Sequence, residues 1–571
     1  MSSITSSPGK FFGNMYKTSF PGFTAIHRSR VLAPHKPSQT SVTNHLPFSF
    51  RRRGRGDEVL RQLLYILFLP ALFLSACSNP NPATEIDLHS LPLLVGEVTQ
   101  QSAIFQARLT ATDTLIFADI HHPDSLASTD LAGKAGVTRF EIAENASFSS
   151  PLRTAWLTAS PQNDFIVKKK VEGLEPATSY YYRLEYGADS SRTKRSGANS
   201  FRTFPPKDAA TPVSFVVVTG SHFERFYLGG GFGQASSQGA EAYRGEDKYL
   251  GFPGFESIAR LQPDFFIGNG DNVYYDHPIP LDGKGPEEMR AKWHRQFAMP
   301  RIRQLFRTVP TYWLKDDHDH RYDDSDTVRV HDKFGAFPTH EAGVSTFVQQ
   351  VPVTDPAVEN PVTYRTVRVN GLLQLWLVEG RDYRSPNSQP DGPDKTIWGE
   401  EQKQWLKRTL QESDATFKLL ISPTPMVGPD DASKRDNHVN HAGFRTEGDA
   451  FFAWLQENSF RDKNFYILCG DRHWQYHSVH PSGFEEFSSG ALVDQNARLG
   501  RNPGDPKSSD PQGLIKQPYT QQEASGGFLK VEVSPGKEKG ASTIAFVFYD
   551  ENGVELYREE KLAAAGRRAA K

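Results

Sequence analysis

Three short segments of this chain place acidic residues, with histidine in two of the three, just beyond the ends of apolar runs. They are Asp316-Asp317-His318-Asp319 after Thr311–Leu314, Gly270-Asp271-Asn272 after Asp264–Ile267, and Gly470-Asp471-Arg472-His473 after Phe465–Leu468. Packing like charges this densely costs free energy unless cations neutralise them. A solvated acidic turn would explain any one segment alone. The recurrence of the same pattern at three places predicts a single metal site assembled from distant parts of the chain.

The elements that must position these side chains are predicted to be buried strands. Brief apolar runs bounded by polar breakers are typical of such strands. A fourth run, Val213–Val218, ends at Thr219-Gly220-Ser221-His222, and helical spacing is present at Phe255–Leu261 and Glu400–Leu410. Alternating strands and helices predict a layered α/β domain. Because ligands bind at the carboxyl ends of strands in such sheets, we expect the four polar segments to meet there.

The region before this domain, residues 88–205, has a different pattern. Short alternating apolar runs separated by turn residues predict a β-sandwich. The segment Val171–Arg183 contains Gly173-Leu174-Glu175-Pro176, followed by Thr178 and a run of tyrosines. It resembles the G-L-x-P-x-T-x-Y-x-Y run of fibronectin type III-like domains. We therefore expect an all-β fibronectin/Ig-like domain that contributes no chemistry, followed by a linker at residues 205–208.

Residues 1–76 are predicted to be a disordered leader and signal peptide. Arg51-Arg52-Arg53 precedes the apolar run Leu63–Leu74, in the order that secretory signals follow. Leu74-Ser75-Ala76-Cys77 resembles the lipobox of bacterial lipoproteins, which predicts lipidation of Cys77 and a tether over residues 77–87. The expected location is outside the cytoplasm, at the periplasm, outer membrane or cell surface. A buried Cys after a signal anchor is the alternative to lipidation. For residues 1–50, which show no folding pattern, the alternative is a translation start near Val59.

Composition excludes little. The 571 residues allow two or three domains, and a net charge of −2 argues neither for nucleic acid nor for electrostatic binding to a membrane surface. Cys77 and Cys469 are the cysteines of the sequence. If Cys77 carries lipid, the exported domains have no internal disulfide and depend on their cores.

The ordered motifs Gly-Ser-His, Gly-Asp-Asn-Val-Tyr-Tyr-Asp, Asp-Asp-His-Asp and Gly-Asp-Arg-His resemble those of the metallophosphoesterase superfamily, specifically its PhoD-like (alkaline phosphatase D) branch. The resemblance covers roughly Val213 to Tyr557. It implies a four-layer αββα sandwich over residues 206–560. It also implies hydrolysis of phosphodiesters, phosphomonoesters or both through a metal-bound hydroxide.

The resemblance also assigns roles to individual residues. It implies that Asp271 bridges two metal ions, that Asp317 binds the second, and that Asp471 and His473 complete the ligand set. Tyr274 matches a tyrosine that can ligate ferric iron. Such a centre holds two or more ions, and a bridging carboxylate offsets charge on both of them.

Two histidines receive separate interpretations from the resemblance. His318 matches the catalytic histidine, which polarises a phosphoryl oxygen or protonates the leaving group. His222 stands where related sequences have a cysteine that ligates iron. Imidazole binds transition metals but lacks the thiolate charge, which argues against the family's Fe(III) with Ca(II) and leaves Mn, Zn or another pair open.

Three further residues are candidates for substrate binding. Arg381 follows the predicted strand Leu372–Val378, and a guanidinium fork there could bind phosphate oxygens; a salt-bridged turn is the equal alternative. His438 and His441 lie in a polar segment that could reach over the cleft. Ordinary surface histidines are the alternative for both.

The leading hypothesis is therefore a metal-dependent phosphoesterase that acts on a phosphoester substrate, is anchored to a membrane by lipid and has no nucleic-acid partner. One alternative is a non-catalytic surface protein that binds phosphate or glycan through a degenerate metal site. Another is a phospholipase-type diesterase. The sequence leaves the natural substrate, the metals and the oligomeric state open.

Overall fold

The computed structural model describes residues 88–115, 130–230, 241–277, 285–330, 338–536 and 541–564. The predicted leader, the lipidation site Cys77 and the tether up to residue 87 lie outside the described residues. Within the described ranges, none of the helices has the length and apolar character needed to cross a bilayer.

The N-terminal part of the described chain consists of nine strands. They are β1 (His89–Gly96), β2 (Ser102–Thr110), β3 (Gly136–Ala143), β4 (Leu152–Arg153), β5 (Leu157–Ala159), β6 (Ile166–Glu172), β7 (Ser179–Asp189), β8 (Arg192–Arg195) and β9 (Asn199–Arg202). Strands β3, β4, β5, β7, β8 and β9 form a six-stranded antiparallel sheet, and β1, β2 and β6 lie in a second sheet. Phe105, Phe140 and Tyr182 pack in the core of these strands. This part is the all-β region predicted from alternating residues.

The remainder alternates strands with helices. Its strands are β10 (Val213–Val218), β11 (Phe265–Asn269), β12 (Thr311–Leu314), β13 (Arg365–Arg368), β14 (Leu373–Leu377), β15 (Phe417–Ser422), β16 (Phe465–Cys469), β17 (Gln475–Val479), β18 (Glu485–Ser489), β19 (Lys516–Thr520), β20 (Gly527–Ser534), β21 (Thr543–Asp550) and β22 (Glu555–Leu562). Its helices are α1 (Phe223–Leu228), α2 (Pro253–Leu261), α3 (Pro286–Ala298), α4 (Pro300–Leu305), α5 (His340–Gln350), α6 (Gly399–Glu412) and α7 (Arg445–Glu457).

Two large sheets pack face to face. One has the strand order β22-β21-β20-β10-β11-β12-β1-β2-β6, and the other β13-β14-β15-β16-β18-β17-β19. Strands β10, β11 and β12 are mutually parallel, as are β14, β15 and β16. Their apolar runs are nearly continuous because each of these strands is covered on both faces.

Helices cover the outer faces of both sheets. Phe215, Ile267 and Tyr312 of the first sheet pack with residues such as Leu375 and Leu419 of the second in one central core. Helices α2 to α5 pack on the other face of the first sheet through residues including Phe255 and Trp293. Helices α6 and α7 cover the second sheet through residues including Leu406 and Phe451. The predicted four-layer αββα architecture preceded by an all-β region is confirmed.

The sequence did not predict how the all-β region joins the α/β layers. Strand β1 pairs in parallel with β12 at Gly96 and Thr311, so the first large sheet runs on into the N-terminal strands. The Tyr312 hydroxyl donates a hydrogen bond of 2.5 Å to the carbonyl of Val98. Glu97 accepts a charge-assisted pair from Arg365, which lies on β13 of the other sheet. The N-terminal strands are therefore part of the scaffold that holds β12 in place.

Candidate metal centre

The predicted strand ends meet where the two large sheets approach one another. The Asn269 side-chain amide donates to the carbonyl of Ser422 (3.1 Å), at the end of β15. The backbone N–H of Gly470 donates to the same carbonyl (3.0 Å). The Thr219 hydroxyl donates to the carbonyl of Gly270 (2.9 Å). These bonds tie the ends of β10, β11, β15 and β16 together at one edge.

The loops after β11 and β16 depend on uncommon backbone conformations. Asp271 and Asp471 both have left-handed φ angles, +52° and +61°. Such angles are strained for residues with a Cβ, and they concentrate at functional sites. At Gly470 an added Cβ would lie 2.2 Å from the carbonyl oxygen of Asn269, so only glycine fits there. The left-handed backbone at Asp271 and Asp471 lowers local stability, and it sets the direction in which the two carboxylates point.

The described residues contain four groups of potential ligand atoms, and two of these hold the ligands predicted at the strand ends. The other two are Asp276 with His277 and His318, and Asp317 with Asp323 and Asp324. Asp271, Asp317 and His318 present ligand atoms within 4.8 Å of one another, and so do Asp316, Asp317 and Asp471. All of these residues are buried or nearly so, and the Asp471 side chain, at 11%, is the most exposed of them. Asp317 belongs to both groups, whereas the resemblance assigned the bridging role to Asp271. Two adjoining groups that share a carboxylate are the arrangement expected of a centre with two ions.

His473 and Tyr274 lie beside Asp271. The His473 Nε2 atom is 3.5 Å from Asp271 Oδ2, and its Nδ1 is 2.6 Å from the carbonyl of Asn496. A carbonyl at Nδ1 fixes that nitrogen as the protonated one, so Nε2 presents its lone pair toward Asp271. The Tyr274 hydroxyl donates to Asp271 Oδ2 (2.9 Å) and accepts from the Asn496 amide (2.8 Å).

His222 lies next to the centre, but its ring is stacked on Tyr274. The two ring centroids are 3.9 Å apart with planes 12° from parallel. Among the described residues, His222 is not a member of any group of three convergent His, Cys, Asp or Glu ligand atoms. Its Nε2 is nevertheless fully buried without a hydrogen-bond partner. Its role as a metal ligand therefore stays a prediction, with the unpartnered nitrogen as its support.

His318 is held by a carboxylate that the sequence analysis did not assign. Its Nδ1 lies 2.8 Å from Asp276 Oδ1, and its ring packs 4.3 Å from that of Tyr274. Burial opposes the imidazolium charge, but Asp276, Asp317 and Asp271 together hold the pKa of His318 well above its ordinary value. With Nδ1 held by Asp276, Nε2 is the nitrogen left for proton donation, and it lies 3.9 Å from Asp323 Oδ1.

The charge and the unpartnered atoms of the centre fit bound cations. Burial, together with neighbouring carboxylates, raises the pKa values of Asp271 and Asp316 well above the ordinary value. One oxygen of each, Asp271 Oδ1 and Asp316 Oδ2, is buried without a hydrogen-bond partner. Buried polar atoms are rarely left unsatisfied, and carboxylate oxygens with imidazole suit divalent and trivalent metals. The described donor set therefore fits a metal centre.

The three candidates for substrate binding lie in different environments. Arg381 is fully buried and its Nε donates to Asp316 (2.5 Å), so it orients a carboxylate, as in the salt-bridged alternative. His438 is also buried, with Nε2 2.9 Å from Glu447 of α7 and its ring 4.8 Å from that of Trp398. His441 is exposed. The geometry gives no support to direct substrate contact by Arg381 or His438, and for all three that role stays a prediction.

Sequence reasoning missed several residues that shape the centre. Asp276 and Asp316 lay within the recognised motifs, so their position gave a usable signal. Asp436, 1% exposed with an unpartnered Oδ2 and 3.6 Å from Arg381, sits in a loop without a motif. Asn496 likewise follows no strand-end pattern, although it contacts Tyr274 and the Arg225 guanidinium (2.6 Å). Only the fold brings these two to the centre.

An αββα sandwich with acids and histidines converging at its strand ends is the architecture of the metallophosphoesterase class. The family model described as "PhoD-like phosphatase" matches residues 215–536, and the one described as "PhoD-like phosphatase, N-terminal domain" matches residues 79–205. The chain therefore belongs to the PhoD-like phosphatase family. This membership indicates an enzyme and disfavours a non-catalytic binding protein.

Individual relatives agree with this assignment. Alkaline phosphatase D of Bacillus subtilis (strain 168) is 22% identical over 453 residues, which cover 73% of each chain. A solved structure of PhoD superposes with a TM-score of 0.60 at 17% identity, covering 82% of this chain and 91% of the other. Purple acid phosphatase PPD1 from yellow lupin (Lupinus luteus) gives a TM-score of 0.50 at 12% identity, covering 82% and 74%. The structural likenesses establish the shared fold.

Proposed function

We propose that this phosphatase hydrolyses phosphodiesters, phosphomonoesters or both outside the cytoplasm, at the centre that contains Asp271, Asp317 and His318. The observation that carries the proposal is the convergence of carboxylate oxygens of Asp271 and Asp317 with a ring nitrogen of His318 within 4.8 Å, in a buried group where Asp271 Oδ1 has no hydrogen-bond partner. In the proposal the two carboxylates are the metal ligands of this group, and His318 is its proton donor. Asp316, Asp471, His473 and Tyr274 border the same group and would complete the ligand set. The fully buried Nε2 of His222 is the nearest further candidate.

Metal ions held by these residues would activate water for in-line attack on phosphorus and neutralise charge on the phosphoryl oxygens. Their identity, Fe with Ca or Mn and Zn, is left open by an oxygen- and nitrogen-rich donor set. The chain itself supplies the proton. Asp276 holds Nδ1 of His318, which orients Nε2–H toward a phosphoryl or leaving-group oxygen.

Cations of the chain offset part of the carboxylate charge near the centre. Lys434 lies 2.5 Å from Asp324 and 3.9 Å from Asp323, and it is 23% exposed. Arg381 pairs with Asp316, and both side chains are fully buried. Lys434 is therefore the basic residue of this group that a phosphate anion could reach, and it is the better candidate for substrate contact. The lipid anchor at Cys77 and export belong to the same proposal and rest on the lipobox-like sequence.

The proposal is tested with a chromogenic phosphodiester and the corresponding monoester, across Mn²⁺, Zn²⁺ and Fe³⁺ with Ca²⁺. We expect turnover with at least one combination. His318→Asn should lower turnover by about 10²- to 10⁴-fold, the scale of a lost proton donor, without lowering metal content. His89→Asn, which changes a half-buried histidine on β1, is the matched control and should keep full activity. A folded protein that turns over neither ester with any metal would contradict the proposal.

A further inference from the structure

The six-stranded N-terminal sheet has one face in the core and one face that carries charge. Side chains alternate between the two faces along each strand. On β3 and β7, Phe140, Ile142, Tyr182 and Leu184 point into the core. The intervening Arg139, Glu141, Arg183 and Glu185 lie on the opposite, outer face. We call this the arginine face, defined by Arg139, Arg153, Arg183, Arg195, Glu141 and Glu185.

The arginine face is an ordered lattice of ion pairs across four strands. Glu141 pairs in register with Arg153 of β4 and Arg183 of β7, and Glu185 pairs with Arg139 of β3 and Arg195 of β8. Glu141 accepts hydrogen bonds from the Nε atoms of Arg153 (2.8 Å), Arg183 (2.7 Å) and Arg195 (3.0 Å). Glu185 accepts from Arg139 Nε (2.8 Å).

Positive charge is in excess within this lattice. Four guanidinium groups surround two carboxylates, which are almost fully buried, with side-chain exposures of 0% for Glu141 and 7% for Glu185. The arginines keep contact with solvent, since Arg153 and Arg195 are each 44% exposed. Each guanidinium has about five N–H donors and each carboxylate about four acceptor sites, so the donors exceed what the two glutamates can accept. The surplus donors are available to an anion.

Aromatic rings hold two of the guanidinium groups in place. The Arg183 guanidinium carbon lies 4.0 Å from the ring centroid of Phe148, and that of Arg139 lies 4.5 Å from the ring of Trp156. Stacking of this kind fixes the plane of the fork. A preorganised array loses little side-chain entropy when it binds an anion.

We propose that the arginine face is a docking surface for a linear polyanion whose charge is carried by phosphodiester groups. Arginine forks match phosphate oxygens bidentately, and three guanidinium groups converge on Glu141 with Arg139 on the neighbouring Glu185, so one chain could touch several of them. This surface is distinct from the metal centre and does not require that centre to be active. Where the centre acts on a polymer, the surface would raise the local concentration of its substrate.

An anionic membrane is the competing partner, and the observations favour the polymer. Surfaces that bind bilayers commonly add aromatic or aliphatic side chains that insert among the lipids. Here Trp156 and Phe148 lie against the guanidiniums of Arg139 and Arg183. An ordered lattice of ion pairs across neighbouring strands suits an extended chain that lies along it.

The test measures binding of a fluorescein-labelled phosphorothioate oligothymidylate, a phosphodiester analogue that resists hydrolysis, by fluorescence anisotropy of the full-length protein. We expect Arg153→Gln/Arg195→Gln to weaken binding about tenfold or more at low salt. For this variant the slope of log K against log salt concentration should become less negative by about 1.4, the value for two lost phosphate contacts on a single strand. Arg244→Gln/Arg408→Gln, two highly exposed arginines elsewhere, is the matched control and should bind like the parent.

A second variant tests the opposite direction. Glu141→Gln keeps the shape of the side chain but removes a negative charge, so it should bind the oligomer more tightly than the parent. If the double arginine variant fails to fold, this variant still tests the proposal, and an affinity no higher than the parent's would contradict it. Hydrolysis of the small chromogenic diester should be unchanged in both, which separates this surface from the metal centre. Equal affinity of the parent and the arginine variant would overturn the proposal. The proposal would also be overturned if the double arginine variant no longer bound phosphatidylglycerol vesicles but still bound the oligomer. The arginine face would then be a membrane-binding surface.

Discussion

At the scale of single residues, the pairing of His318 with Asp276 decides how protons move in the centre. A carboxylate 2.8 Å from Nδ1 fixes the tautomer and stabilises the imidazolium, so that Nε2 carries a proton over a wide pH range. Asp276 touches His318 but is placed to act through it. It is therefore a positioning residue, and its effect should appear in the pH profile.

Asp276→Asn should lower kcat by about 10- to 100-fold, less than the loss of His318 itself. Burial opposes protonation of His318, and the Asp276 carboxylate is the leading cause that raises its pKa. Without that charge the pKa falls, so the acid form is lost at lower pH and the alkaline limb of the activity profile moves to lower pH. The measurement is kcat against pH for both proteins. An unshifted alkaline limb would show that Asp276 only packs against the ring.

The placement of the polar motifs at strand ends was predictable, because each motif follows a strand whose apolar run is recognisable in the sequence. Val213–Val218 and Thr311–Leu314 were predicted with the bounds that the structure shows. Side-chain direction was not predictable. The stacking of His222 on Tyr274 and the burial of His438 against Glu447 depend on tertiary packing that no local spacing encodes.

At the scale of elements, a buried polar cluster joins the N-terminal strands to helices α3 and α5. His294 of α3 lies 2.6 Å from Asp164, which also accepts from Gln350 of α5 (2.7 Å) and pairs with Arg108 of β2 (3.2 Å). Asp164 has a left-handed φ of +55°, which Asn tolerates well. This cluster and the β1–β12 pair could not be predicted, because both depend on which distant segments pack together.

Asp164→Asn should destabilise the protein by about 2 kcal/mol at neutral pH. Burial alone would raise the pKa of Asp164, but hydrogen bonds from His294 and Gln350 and the Arg108 charge lower it to about 2. A depressed carboxyl pKa contributes stability above the unfolded-state value, near 3.8, and loses it as pH falls toward 2. Urea unfolding at neutral and acid pH measures the effect.

The Asp164 variant should also lose part of the parent's stability change between pH 4 and pH 2. Asp414→Asn is the control, since its carboxylate is 91% exposed and substitutions at such sites stay within about 0.5 kcal/mol. If Asp164→Asn unfolded at the same urea concentration as Asp414→Asn at neutral pH, the cluster would not stabilise the junction.

At the scale of the whole molecule, the proposal joins a lipid anchor, an all-β region with an arginine face and a phosphoesterase centre. The anchor rests on sequence, and it is tested by Cys77→Ser, which should move the protein from the membrane fraction to the soluble fraction. Cys469→Ser, which changes the buried cysteine at the end of β16, is the control and should stay in the membrane fraction. Retention of Cys77→Ser in membranes would indicate an uncleaved signal anchor.

The most direct test of the central claim is metal analysis of the purified protein and two variants by inductively coupled plasma mass spectrometry. If residues from the ends of β11, β12 and β16 build one centre, the parent should hold about two ions per chain. Asp271→Asn should lose most of that metal, and His318→Asn should keep it. A parent without stoichiometric metal, or an Asp271→Asn variant with the parent's full content, would contradict the account.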